Sequence, residues 1–116
     1  MMSHRTLLAA EMLREGHTVD LPALGSSMRP LIAPGGVIRV APASADRVRP
    51  GDVVLVDAGG HLVCHRLVYA AAGRIVTRGD NATASDPPLP AGALIGRVDI
   101  PPSPHALYCA VRALFR

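Results

Sequence analysis

The sequence predicts a mainly β fold, a coiled antiparallel sheet or barrel with a short helix at each end. Between residues 37 and 100, short runs rich in valine and isoleucine alternate with proline and glycine, as in a chain of strands and tight turns. The composition indicates an aliphatic core, because 49% of the residues are hydrophobic and only 3% are aromatic. The 116 residues match one domain of ordinary size, so we predict a single domain over residues 1–116.

The first predicted element is a helix over residues 3–16. A serine at its start can act as the N-cap, and Gly16 is a suitable stop. Leu7, Leu8 and Met12 would form an apolar stripe on one face of this helix, with Ala9 as a further candidate member.

The predicted strands lie in a short segment before the first proline and in the β core that follows, residues 24–100. Their ranges are 17–21, Val37–Ala41, Asp52–Asp57, Leu62–Ala70, Arg74–Arg78 and Ala93–Ile100. Residues 58–61 contain two glycines and are predicted to close a hairpin, and residues 71–73 are predicted to close the next one. The proline-rich stretch from Gly79 to Pro90 is predicted to be a loop.

The last predicted element is a helix over residues 103–116. Its residues Leu107, Val111 and Leu114 share one face, which either packs on the barrel or contacts a membrane surface or a partner. No run reaches the ~18 apolar residues of a membrane span, and the N-terminus has no secretory pattern. The sequence therefore predicts a cytoplasmic protein without a transmembrane anchor, and peripheral membrane contact through this helix stays open.

The charge and cysteine content argue against two classes of function. The net charge is +3, and all 12 basic residues of the Lys+Arg total are arginines scattered along the chain, so the chain contains no lysine. Dispersed arginines with so few aromatic residues are a weak signal for nucleic-acid binding. Cys64 and Cys109 have no ligand-like spacing, which favours buried free thiols, and we expect neither a metal nor another cofactor.

The segment from Gly25 to Pro30 is the first candidate for chemistry. It is a turn of small residues that carries two hydroxyls, on Ser26 and Ser27. A serine in such a turn can be exposed with backbone N–H groups nearby, which suits a nucleophile and its oxyanion. The structural alternative is a capping or turn serine, which the segment alone does not exclude.

His65 is the candidate partner of that serine. Side chains alternate along a strand, so His65 is predicted to share a face with Val63 and Leu67, while Cys64 points the other way. A partly desolvated imidazole there could act as a general base. The alternative is a core histidine with its hydrogen bonds satisfied.

Two carboxylates in the loop after the fifth strand could orient the histidine. Taken singly, Asp80 and Asp86 are equally compatible with ordinary roles in turns. Taken with a turn serine and a strand histidine, they complete a Ser-His-Asp set. The spacing alone does not decide which carboxylate would belong to it.

Four motifs and one further aspartate resemble the type I signal peptidases in order and rough spacing, most closely the endoplasmic-reticulum and archaeal branch and its small bacterial relatives. They are Ser27–Pro30, Arg49–Val54, His65–Leu67, Thr77–Asn81 and then Asp86. The resemblance covers roughly residues 24–100 and implies a coiled antiparallel β fold with serine endopeptidase activity.

The resemblance also implies roles for individual residues. It places the nucleophile at Ser27 and the base at His65, since the lysine used by most bacterial members is absent. Asp86 lies six residues after Asp80, which is the spacing of the orienting aspartate in the endoplasmic-reticulum branch. Asp80 would be a second carboxylate that holds the loop near the histidine.

Two further residues are predicted to act next to the nucleophile, and three features depart from the pattern of the signal peptidases. Ser26 and Met28 would help to position the oxyanion or the substrate. Gly36 stands where the family commonly has aspartate, Ala82 replaces a polar residue, and the family's N-terminal membrane anchor is absent.

We therefore predict a single peptidase domain that cleaves a leader or signal segment from a peptide or protein bound as an extended strand. One alternative is a catalytically inactive relative that binds peptides. Another is a small basic β-barrel that binds nucleic acid. A self-cleaving repressor-type domain has a similar pattern but depends on a lysine base.

Overall fold

One helix and seven strands form the part of the chain that the computed structural model describes, residues 4–22, 28 and 36–99. Two single-turn 3₁₀ segments, Ala45–Arg47 and Ala91–Ala93, accompany them. The elements are α1 (His4–Arg14), β1 (Val19–Pro22), β2 (Val37–Pro42), β3 (Val53–Asp57), β4 (Leu62–Ala71), β5 (Arg74–Arg78), β6 (Leu89–Pro90) and β7 (Leu94–Asp99).

The seven strands make one sheet in the order β1-β2-β7-β3-β4-β5-β6, and every pair in it is antiparallel. The last strand, β7, returns between β2 and β3 and so joins the two halves of the sheet. The predicted mainly β, antiparallel fold is confirmed, and the arrangement is consistent with a barrel-like shape.

The strand that the sequence did not predict is β6. It has only two residues, Leu89 and Pro90, which pair with Ile75 and Arg74 of β5. A two-residue segment has no alternation to detect, and proline normally argues against a strand unless it lies at an edge. Its β conformation comes from its neighbour, because β5 provides the pairing groups.

The sheet carries a hydrophobic cluster on each face. Along β3, Val53 and Leu55 belong to the first cluster, and Val54 and Val56 belong to the second. The first cluster is Ala9, Ala10, Leu13, Val19, Met28, Ile38, Val40, Val53, Leu55, Ile95 and Val98. The second is Val54, Val56, Leu67, Ile75 and Leu94. The sheet is therefore covered on both faces, and alternate residues of its central strands point into different cores.

The helix packs on the first cluster through a face that matches the predicted stripe only in part. Ala9 belongs to the cluster and Met12 packs against it, as predicted. Leu7 and Leu8 are 48% and 49% exposed, while Ala9, Ala10 and Leu13 are buried. The small side chains of Ala9 and Ala10 let the helix backbone approach the sheet closely, and Leu13 is the large side chain of this helix that is fully packed against the cluster. Within the described residues, no helix has the length and apolar character needed to cross a membrane. The predicted C-terminal helix, residues 103–116, lies outside the described residues.

Both predicted hairpins are present. In the first, the Ala58 N–H donates to the His61 carbonyl at 2.9 Å. In the second, Ala71 pairs with Arg74, and the two residues between them, Ala72 and Gly73, have φ angles of 53° and 75°. Two successive positive φ angles are the signature of a type I′ turn, which favours Asn-Gly at these positions.

We expect Ala72→Asn to stabilise the protein. The left-handed conformation is unfavourable for alanine by about 1–2 kcal/mol, and asparagine tolerates it better. A gain of about 1 kcal/mol would raise the melting temperature by about 4–8 °C, measurable by calorimetry. Gly73→Ala is the matched control and should lower the melting temperature, because it places a second Cβ in the same conformation. An unchanged or lower melting temperature for Ala72→Asn would contradict the expectation.

Candidate active site

Strand β4 places two adjacent polar residues on opposite faces of the sheet. His65 lies opposite Val54 in the register with β3, and Arg66 lies opposite Val53. Directly opposed residues share a face, so His65 is on the side of the second cluster and Arg66 on the side of the first. This confirms the predicted face of His65, because Val63 and Leu67 also pack with the second cluster and Cys64 packs with the first.

His65 contacts the carboxylate of Asp86. Its Nδ1 lies 2.5 Å from Asp86 Oδ2, although the two residues are 21 positions apart in the sequence. The His65 side chain is 15% exposed and that of Asp86 is 30% exposed. A carboxylate that accepts the Nδ1–H proton fixes the orientation of the ring and leaves Nε2 as the nitrogen that exchanges protons with other groups. This is the arrangement that a general base requires.

Asp86 is held in place by Thr77 of β5. The Thr77 carbonyl accepts the Asp86 N–H at 2.8 Å, and the Thr77 hydroxyl donates to Asp86 Oδ2 at 2.7 Å. Thr77 is 3% exposed, so the contact lies at the buried side of the carboxylate. The loop after β5 therefore folds back onto the sheet at the level of His65.

Arg66 forms a second, more deeply buried ion pair with Asp80. Its Nε and one terminal nitrogen each donate to the carboxylate at 2.8 Å, and its other terminal nitrogen donates to the Gly51 carbonyl at 2.6 Å. The side chains of Arg66 and Asp80 are 9% and 7% exposed. The guanidinium thus joins three segments of chain: the β4 strand, the turn before β3 and the Gly-Asp-Asn turn.

Met28 also contacts Asp80 of this ion pair. Its side chain is buried in the first cluster, and its Sδ accepts the Asp80 N–H at 3.4 Å. The chain immediately after the candidate nucleophile is therefore fixed next to the Arg66–Asp80 pair.

Four of the predicted site residues, Met28, His65, Asp80 and Asp86, lie in the described part of the chain. His65 and Asp86 are in contact, whereas the described contacts of Asp80 are with Arg66 and Met28 and not with His65. Ser26 and Ser27 lie outside the described residues, so their predicted roles stay predictions. Because the Met28 side chain is buried, any role of this residue toward a substrate would fall to its backbone.

Two contributors to the site were not predicted in their observed roles, Arg66 and Thr77. A motif position identified Arg66, but nothing in the sequence identified the carboxylate that it binds. Thr77 has an ordinary β-strand composition around it, and its bond to Asp86 depends on the path of the intervening loop. Among the residues that the structure describes, no three ligating side chains come together as a metal site would need.

Cys64 lies on the Arg66 face and is a free thiol. Burial raises the pKa of this thiol to about 12, and the negative charge of Asp80 adds to the effect. In the unfolded chain a cysteine ionises near pH 8.5. The neutral, partly buried thiol therefore contributes its full stability below about pH 8.5, and this contribution is lost as the pH rises toward 12.

We expect the free energy of unfolding to fall between pH 8 and pH 10 more steeply in the wild type than in Cys64→Ala. Urea denaturation at pH 8, 9 and 10 measures both slopes. Cys109 is present in both proteins and cancels in the comparison. Equal slopes would show that Cys64 ionises as easily in the folded protein as in the unfolded one.

The chain matches the model of a known protein family. No curated protein sequence matches the chain. The model of the family described as Peptidase S24-like matches residues 2–99, which span the helix, the sheet and the contacts of His65 and Arg66. The match covers most of the 116 residues. The chain therefore belongs to the Peptidase S24-like family.

Proposed function

We propose that this protein is a serine endopeptidase in which Ser27 is the nucleophile, His65 is the general base and Asp86 orients the histidine. The observation that carries the proposal is the contact of 2.5 Å between His65 Nδ1 and Asp86 Oδ2 in a chain of a peptidase family. This contact supplies the base and its orienting group, two of the three parts that such a mechanism needs.

The absence of lysine favours a histidine base over the lysine that related peptidases use. All 12 residues of the Lys+Arg total are arginines, and arginine does not lose its proton in proteins. Histidine is the residue whose unperturbed pKa suits proton transfer near neutral pH. The partial burial of His65 would shield it from bulk water without closing off access to a substrate.

The position of Met28 supports Ser27 as the nucleophile. Met28 is fixed at Asp80, and Asp80 binds Arg66, the residue after His65. The proposed nucleophile is the residue directly before Met28, so the proposal takes this cluster as the point from which the serine turn is anchored to β4.

The proposed reaction is acyl transfer through a covalent intermediate. Ser27 Oγ attacks the scissile carbonyl, and its proton passes to His65 Nε2. The backbone N–H of Ser27 donates to the oxyanion. When the tetrahedral intermediate collapses, the C–N bond breaks and the leaving amine takes the proton from His65. A water molecule, deprotonated by His65, then hydrolyses the acyl-enzyme, while Asp86 stabilises the imidazolium in both steps.

The substrate class is proposed from the resemblance to signal peptidases. The substrate would bind as an extended strand with small side chains next to the cut, and the product would be a peptide or protein freed of its leader. A peptide-binding relative without activity is the second candidate. It is favoured by Gly36 and Ala82, which stand where the type I signal peptidases that the sequence resembles commonly have polar turn residues.

Labelling with a biotinylated fluorophosphonate, followed by mass spectrometry of the modified peptide, tests the proposal. The full chain should be labelled at Ser27, and both Ser27→Ala and His65→Ala should lose the label. Ser26→Ala is the matched control, because it removes the neighbouring hydroxyl and should keep the label. A folded wild-type protein that is not labelled would exclude the enzyme and leave the peptide-binding candidate.

A further inference from the structure

Thr77 contacts the candidate orienting carboxylate through both its backbone and its side chain. Its carbonyl accepts the Asp86 N–H at 2.8 Å, and its hydroxyl donates to Asp86 Oδ2 at 2.7 Å. We propose that Thr77 is a positioning residue that aligns His65 by acting through Asp86. This inference rests on the proposed function for its effect on catalysis, but not for its effect on the imidazole.

The geometry links three groups through one oxygen atom. Asp86 Oδ2 accepts the Thr77 hydroxyl and is also the atom that lies 2.5 Å from His65 Nδ1. The side-chain torsion that rotates a carboxylate group has a broad, roughly two-fold distribution. A single hydrogen bond therefore leaves the carboxylate free to turn. A second donor on the same oxygen restricts that rotation and keeps Oδ2 directed at the imidazole.

The hydroxyl is not needed to close the loop. The backbone bond from Asp86 to the Thr77 carbonyl already holds the loop on β5, and it uses only main-chain atoms of residue 77, so any non-proline side chain there can keep it. The hydroxyl therefore acts on the carboxylate group and not on the course of the chain. This separates a positioning role from a purely structural one.

Burial makes the hydroxyl difficult to replace by solvent. Asp86 is 30% exposed and can reach water on its open side, but Thr77 is only 3% exposed. Removing the hydroxyl would leave the inner side of the carboxylate without its donor at a place where water has little access. A hydrogen bond to a charged group contributes more than one between neutral groups, so the loss should be measurable.

Thr77→Val and Thr77→Ser form a matched pair for the test. Valine keeps the branched shape and removes the hydroxyl, whereas serine keeps the hydroxyl and removes a methyl group. The first readout is the downfield proton resonance of His65 Nδ1 in the NMR spectrum of the full chain, assigned by its loss in His65→Gln. The second is the rate at which a fluorophosphonate modifies Ser27.

Thr77→Val should shift or broaden the Nδ1 resonance and slow the modification of Ser27 by about tenfold to a hundredfold. Thr77→Ser should restore the resonance and return the rate to within about threefold of the wild type. Should Thr77→Val fail to fold, Thr77→Ala provides the same comparison with serine.

A Thr77→Val protein with an unchanged Nδ1 resonance and an unchanged rate would overturn the inference. The two readouts also separate this inference from the proposed function. If the wild type is not modified at Ser27, the proposed function fails, and the response of the Nδ1 resonance still decides whether Thr77 positions His65.

Discussion

Asp86→Asn is expected to slow the reaction of Ser27 with a fluorophosphonate by about a thousandfold to ten-thousandfold. The amide has nearly the shape of the carboxylate, so the loop should keep its course through the backbone bond to Thr77. The negative charge beside Nδ1 is lost, and the imidazolium that forms during acylation is no longer stabilised. The amide can also donate to Nδ1, which would place the imidazole proton on Nε2, where it blocks proton transfer from Ser27.

Asp57→Asn is the matched control for this change. Asp57 lies at the end of β3, its side chain is 27% exposed, close to the 30% of Asp86, and it pairs with Arg14. The substitution removes the same charge from a similarly exposed site, and the labelling rate should stay unchanged. Stopped-flow or competitive labelling of the two variants gives the comparison. An Asp86→Asn protein that keeps more than a tenth of the wild-type rate would remove Asp86 from the mechanism.

The features that could be predicted from the sequence are those fixed by neighbouring residues. The face of His65 follows from alternation along a single strand, and the register with β3 confirms it. The turn at Ala72 and Gly73 follows from its glycine and from the β-rich segments on either side, although alanine is unfavourable at the first position. In both cases the information lies within a few positions of the feature.

The features that could not be predicted depend on contacts between distant segments. Residue types alone left Asp80 and Asp86 equivalent, and only the resemblance distinguished them. In the structure the two carboxylates differ in their partners. Asp80 forms an ion pair with Arg66, on the opposite face of β4 from His65. The buried face of α1 was predicted only in part for a related reason: contacts with the sheet bury Ala10 and Leu13 in place of Leu7 and Leu8.

The Arg66–Asp80 pair belongs to this second kind of feature, and it carries the largest stability prediction. Arg66→Met is expected to lower the free energy of unfolding by about 3–5 kcal/mol, because it leaves the Asp80 charge buried without its bidentate partner. The Gly51 carbonyl also loses the donor that reaches it from β4. Urea denaturation followed by circular dichroism measures the change.

The exposed pair of Arg39 and Asp20 provides the matched control. It joins β2 to β1 with nitrogen–oxygen distances of 3.0 and 3.4 Å, but its side chains are 65% and 51% exposed. Solvent screens such a pair, so Arg39→Met should leave the denaturation midpoint almost unchanged. A similar loss in the two arginine variants would mean that burial does not distinguish the pairs.

A double variant separates the value of the ion pair from the cost of breaking it. Arg66→Met combined with Asp80→Leu removes both buried charges, so it should recover much of the stability lost in Arg66→Met alone. The Asp80 N–H remains available to Met28 Sδ in the double variant, because that contact uses only the backbone of Asp80. If the double variant recovers stability but labels Ser27 more slowly than the wild type, the pair serves to align the serine turn with β4. If it recovers stability and labels Ser27 at the wild-type rate, the pair is a structural support that apolar packing can replace.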